Sequence, residues 1–332
     1  MSKFFEPWIG KKYINGWLLK NKELEPAQDN EEGKKIIVLG CNHYCDDPKK
    51  VKNCIMENNK LYPNNNQICD MHNGSCNCGK LNYCKGYTQR VIGLWNPISH
   101  QVFQKAFCEE KGKDIWDYLI FANFFQISLP EEDDAGNKDY LKENPNICSQ
   151  EQIHGINNFV DMVKANKPDI IITWGIENSI IWKYGLEPGE KKCGKVLFRR
   201  AIIGKAKNNF PRIHISWQIN NTTEEITAPF TIMDWIGEDN KEYSCLVLLI
   251  HHPSYINKGD NKNKKNKGTN NYCSDKWHKA ILCAYRFQDT LIKWDNTARI
   301  GQQKKEPFVC DFTWDGQNGF AWTNQNSFPK KS

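Results

Sequence analysis

Four short apolar runs govern what this chain can fold into. KKIIVLG (34–40), DYLIFANFF (117–125), PDIIITWG (168–175) and SCLVLLIHH (244–252) are continuous rather than alternating, and each stops at small or polar residues. A strand with one wet face alternates apolar and polar positions, whereas a strand covered on both faces does not, as in parallel sheets flanked by helices. The intervals leave room for a helix or an insertion each time. Between the second and third runs, Ile156, Phe159, Val160 and Val163 recur at helical spacing before NKP ends the segment. After the fourth, Trp277, Ile281, Ala284, Tyr285, Gln288 and Leu291 fall on one face of a long helix, with Ser274 and Asp275 available as caps. The alternation predicts an α/β fold: a three-layer αβα sandwich around a central four-stranded, mainly parallel sheet.

At 332 residues and 39% hydrophobic content, the chain can bury a sizeable core. One domain over 1–300 and a C-terminal extension over 301–332, carrying Trp314 and Trp322, is the expected division. No basic-then-apolar leader opens the sequence and no apolar run reaches the roughly 18 residues of a membrane span. The expectation is a soluble intracellular protein, of the cytoplasm or of the nucleoid or nucleus, and a monomer. Fourteen cysteines in such a compartment point to metal binding or burial rather than to disulfides. The formal charge of +6 permits a nucleic-acid partner without requiring one. Three segments interrupt the pattern: an insertion over 41–86 with seven of the cysteines, an accessory hairpin expected over 195–220, and the lysine-rich NKGDNKNKKNKGTNN (257–271), which reads as a loop.

In an open parallel sheet, ligands bind in the crevice beyond the carboxyl ends of the strands. Gly40, Cys41, Asn42, His43 and Tyr44 follow the first run there, and Asn123 ends the second, with Phe124 and Phe125 beyond it. Trp174 and Gly175 close the third, and His251, His252, Pro253 and Ser254 follow the fourth.

These residues, in this order, resemble the uracil-DNA glycosylase superfamily. The turn after its first strand is similar to Gly40-Cys41-Asn42-His43-Tyr44, its base-reading asparagine to Asn123, its Trp-Gly to Trp174-Gly175, and its His-Pro-Ser to His252-Pro253-Ser254. The resemblance spans roughly residues 34–294. It implies a monofunctional DNA glycosylase acting on a flipped uracil or modified pyrimidine, such as a 5-substituted cytosine, in repair or in defence against modified foreign DNA. Asparagine at position 42, where the most active members carry aspartate, is closest to the single-strand-selective monofunctional branch.

The chemistry gives each residue a reason. Cleaving an N-glycosidic bond builds positive charge on the sugar and negative charge on the departing base, so the site needs a placed water and a donor aimed at the base. The resemblance makes Asn42 the residue that orients the water and His252 the donor. Asn123, with one carbonyl and one amide, suits the edge of an extruded base. Tyr44 stands where the resemblance places an aromatic that crowds the ring's C5 edge, and His43, where the resemblance has proline, leaves room for a larger base. Phe124 and Phe125 are stacking candidates, and Ser254 turns the chain toward the backbone. Asp46 or Asp47 could reach the water instead of remaining on the surface. Lys258, Lys262, Lys264, Lys265 and Lys267 would grip phosphates and make binding salt-sensitive, with Arg199 and Arg200 as further contacts.

Cys69, His72, Cys76, Cys78 and Cys84 offer more than the four soft ligands of a tetrahedral zinc site. A structural zinc through Cys69, Cys76, Cys78 and Cys84, an iron–sulfur cluster, and free thiols are the three readings of this insertion. Catalysis itself calls for no cofactor. The competing function is a protein of the same fold that binds modified or single-stranded DNA without turning it over, and Asn42 and His43 are the features that favour it.

Overall fold

The computed structural model describes residues 7–40, 43–45, 92–93, 98–123, 128–130, 159–174, 196–198, 211–237, 239–251, 253, 269–300, 309–315 and 319–322. The chain begins with β1 (Trp8–Ile9), a 3-10 turn at Tyr13–Asn15, β2 (Trp17–Lys20), β3 (Glu23–Pro26), β4 (Ile36–Gly40) and β5 (His43–Cys45). Helix α1 (Ile98–Cys108) and a 3-10 segment (Glu109–Tyr118) lead to β6 (Leu119–Asn123) and β7 (Ser128–Pro130). Helical residues 159–166, here α2, precede β8 (Ile170–Trp174) and β9 (Val196–Phe198). Then come β10 (Arg212–Ile219), β11 (Thr222–Ile236), β12 (Glu242–Ile250), helix α3 (Thr269–Ile300), β13 (Val309–Asp315) and β14 (Gly319–Trp322).

The four apolar runs form the parallel centre of the sheet, in the order β6, β4, β8, β12. Their residues are buried on alternate faces without a break, which is why they lack a polar period. Ile36, Val38, Leu119, Phe121, Ile170, Ile172, Leu246 and Leu248 pack into one core with α1 and α3. On the opposite side Ile37, Ile120, Ile171 and Val247 are equally buried, as are Phe159, Val160 and Val163 of α2.

The sheet is larger than four strands. Ten strands join it, and it is mixed, with β1 antiparallel on one edge and β11, β10, β13 and β14 extending the other. β11 divides its length between partners: Phe230–Ile236 pairs with β12, with β9 also pairing Met233–Trp235, and Thr222–Pro229 pairs with β10. Because β11 runs against β12, its Thr222–Pro229 half continues past the carboxyl ends of the central strands. β10, β13 and β14 therefore form a wing that reaches beyond that edge, across β11 from β12.

Three expectations change accordingly. The accessory hairpin is not 195–220: β9 pairs with β11, and β10 makes its hairpin with β11 through Asn220 and Asn221, both at positive φ. Such a two-residue turn matches the twist of the strands it joins. Residues 309–322 are not an appendage, since β13 lies parallel on β10 and β14 closes on β13. Helix α3 starts at Thr269, so Ser274 and Asp275 lie inside it rather than at its cap. The face assigned to it is right, with Trp277, Ile281, Ala284, Tyr285, Gln288 and Leu291 all buried. Among the described residues, no helix is long and apolar enough to cross a membrane.

Candidate functional site

Strand order fixes where a ligand can sit. The chain reaches β6 on one side of β4 and β8 on the other, so the crossovers diverge between β4 and β8, and the carboxyl ends there are where an open sheet of this kind places a ligand crevice. Gly40 and Trp174 border this opening, and Asn123 stands opposite Gly40 in the β4–β6 ladder. The Asn123 carboxamide leans across the glycine: a Cβ at position 40 would lie 2.1 Å from its Oδ1 and 3.5 Å from Cζ of Phe121. Gly40 is thus the residue whose missing side chain lets Asn123 lie where it does.

Beneath this notch lies a ring cluster. His100, buried on the first turn of α1, meets Phe121 and Trp174 edge-on at 5.0 Å from each and Trp116 at 5.3 Å, with Phe103 behind Trp174. Edge-to-face contacts hold such rings at defined tilts. Ser99 Oγ lies 3.3 Å from His100 Nδ1. The rings therefore form one buried aromatic cluster under Gly40, with one imidazole in it.

At the β12 end, His251 is half-buried and edge-on to Trp277 of α3 at 5.5 Å, and Pro253 is buried. Beyond them the wing carries Trp217, Trp314 and Phe320 side by side across β10, β13 and β14. From α3, Lys279 Nζ reaches over Trp217 at 4.8 Å and Trp314 at 5.9 Å, and Lys276 pairs with Glu224 at 3.4 Å. Burial pushes the Lys279 ammonium below its usual range, because the charged form loses water. Further along α3, His278 Nε2 lies 3.2 Å from Glu23, and that contact holds the Glu23 carboxyl below its usual range.

Of the residues singled out from the sequence, the structure brings together Gly40, Asn123 and Trp174. His43 and Tyr44, expected in a turn, belong to the backbone of β5, which pairs in parallel with β7. Cys41, Asn42, Phe124, His252, Ser254, Lys258, Lys262, Lys264 and Lys265 lie outside the described residues, as do Asp46, Asp47, Phe125, Gly175, Arg199, Arg200 and Lys267. So do Cys69, His72, Cys76, Cys78 and Cys84. Among the described residues, no three His, Cys, Asp or Glu side chains are placed to hold a metal ion. Cys108 and Cys245 are buried thiols whose ionisation burial suppresses.

Sequence reasoning passed over His100 and Phe121 as site residues, and it read a strand at β10 without its partners β11 and β13. A lone histidine in ISHQVFQKAF carries no motif, and Phe121 reads as core. The wing did leave a signal in the alternating RIHISWQI and in the Asn-Asn pair that follows it.

The fold is α/β, with a large mixed sheet whose parallel centre has its topological switch point between β4 and β8. No family model, curated protein or solved structure matches the chain.

Proposed function

We propose that the chain is a monofunctional DNA glycosylase that hydrolyses the N-glycosidic bond of a flipped uracil or modified pyrimidine. The observation that carries this reading is Asn123 held across Gly40 at the mouth of the switch-point crevice, between β4 and the strand that ends in Trp174. The Gly40–Tyr44, Trp174-Gly175 and His252-Pro253-Ser254 stretches, which resemble the uracil-DNA glycosylase superfamily, leave the same edge of the sheet.

In this reading the base enters the crevice against the Phe121–Trp174 floor, and Asn123 offers its carboxamide to the Watson–Crick edge. Asn42 orients a water toward the sugar carbon that loses the base. The C–N bond breaks with its electron pair passing to the base, the water oxygen bonds to that carbon, and the water's proton is released. His252 donates a hydrogen bond to the base oxygen as negative charge collects there. Asparagine cannot take the proton as a carboxylate would, so slow turnover or selectivity for a particular modified base is expected. The three-layer arrangement, a phosphate grip by Lys258, Lys262, Lys264 and Lys265, and a clip of the 41–86 insertion by zinc belong to the same proposal.

The test is abasic-site formation on single- and double-stranded oligonucleotides carrying uracil, thymine mismatches or 5-substituted cytosines. Alkali-dependent breakage that disappears in His252→Ala and falls in Asn123→Ala supports the assignment and names the base. Absence of breakage on every substrate, with binding retained, overturns it in favour of a protein that binds modified or single-stranded DNA.

A further inference from the structure

The wing is built in a way that its structural role alone does not require. Trp217, Trp314 and Phe320 occupy matching positions on three adjacent strands, so their rings form a row across the sheet at the edge where the crevice opens. Trp217 and Phe320 are buried, whereas Trp314 packs against the same core but is only partly buried. Lys279 lies over the first two rings, and among the described residues the carboxylates of Asp275 and Glu23 act on it through their charge. An ammonium that is half-buried, with no carboxylate bonded to it among the described residues, beside an indole that is not fully buried, suits a ligand that offers an anion and a flat ring together. A nucleotide unit does so.

We propose that the wing is an accessory surface for single-stranded nucleic acid, with Trp314 stacking a base and Lys279 contacting a phosphate of the segment that leaves the crevice past β12. Position supports this occupant. The β10–β11 ladder starts where the β11–β12 ladder stops, so the row lies across β11 from β12 and farther along the sheet than its end. Residues 251–268 join that end of β12 to α3, which begins at Thr269 inside the stretch read as a loop over 257–271 and carries Lys276 and Lys279. Stacking on an aromatic face accepts any base, so the surface adds grip and direction rather than sequence preference. The choice of nucleic acid as the polymer rests on the reading of the crevice given above.

The experiment measures binding of an undamaged fluorescent oligothymidylate to the full chain across a salt series, which needs no turnover. Trp314→Leu keeps apolar packing but removes the stacking face, and it should weaken binding about tenfold. Trp314→Phe should restore most of that loss. Lys279→Gln should flatten the salt dependence by about one released ion, with Lys279→Arg close to the parent. Thermal melts of all four variants separate a lost contact from a lost fold. Parent-like affinity and salt slope in folded Trp314→Leu and Lys279→Gln overturn the proposal, as does a parent protein that does not bind the oligonucleotide or binds only duplex. A protein that binds in the predicted way but excises nothing sinks the glycosylase reading and leaves the wing as assigned.

Discussion

Gly40 and Asn123 are coupled by space rather than by a bond. Adding one carbon at position 40 puts it 2.1 Å from Asn123 Oδ1, far inside contact distance, so Gly40→Ala must drive the carboxamide off the notch. A displacement of about 1 Å in a positioning group can cost on the order of a hundredfold in rate. The expected outcome is an excision efficiency down by about that factor, with stability changed by no more than roughly 1 kcal/mol, since alanine adds no buried polar group. Melting temperature and single-turnover excision measured on one preparation check this. A variant with parent-like excision would show that Asn123 does not read the base. The pair was half legible in the sequence: both residues end continuous apolar runs. Their mutual contact was not, because register between strands 83 positions apart is a tertiary fact.

Elements make their own predictions. The β10–β11 turn holds Asn220 and Asn221 at φ of 48° and 63°, a region that asparagine tolerates and β-branched residues resist. Asn220→Val or Asn221→Val should each lower stability by about 1–2 kcal/mol, while Asn221→Gly should be neutral or stabilising, as urea titration will show. The turn that enters β12 behaves differently because charge holds it. Tyr243 donates to Asp239 at 2.6 Å, and Lys167 reaches the same oxygen at 3.3 Å. Those contacts bring the Asp239 carboxyl down to about 2 from its ordinary 3.8, led by the tyrosine hydroxyl. A folded value below the unfolded one means that the contribution is complete above pH 3.8 and disappears as the pH falls toward 2. Asp239→Asn should therefore melt below the parent at pH 6, with the gap closing as the pH reaches 2. A gap independent of pH would mean that the carboxylate does not hold the turn. The same contrast explains what the sequence discloses about elements. β4, β6, β8 and β12 announce themselves because burial on both faces forbids polar residues. β10 has a period of two, with Ile213, Ile215 and Trp217 buried between half-exposed Arg212, His214 and Ser216. Its hairpin was nonetheless missed, because the Lys/Asn/Pro stretch before Arg212 is as strong a turn signal in sequence as Asn220-Asn221.

At the scale of the molecule, the sheet is one body whose last strands come from the far end of the chain. β13 and β14 enter through β10, and they bring Phe312 into a core that also includes Phe230, Ile215 and the α3 face. Phe312 is essentially fully buried, with the Phe287 ring of α3 at 4.7 Å. On the outer face of the same joint, His214 of β10 lies between Asp311 of β13 at 3.0 Å and Glu225 of β11 at 3.2 Å. The C-terminal strands are thus tied to the wing from both sides, and the wing to β12 through β11. Replacing a buried phenylalanine by alanine typically costs about 3–5 kcal/mol, a large share of the roughly 5–15 kcal/mol that holds a domain together. Phe312→Ala should therefore lower the stability of the whole molecule, in a single cooperative transition followed alike by tryptophan fluorescence and by backbone dichroism. A polar substitution on the solvent side, Thr313→Ser, should leave that transition in place. Two separate transitions in Phe312→Ala, with the central strands unfolding as in the parent, would show that the wing folds independently. The crevice would then be walled by a separable element, and loss of the wing would affect nucleic-acid grip without touching Asn123.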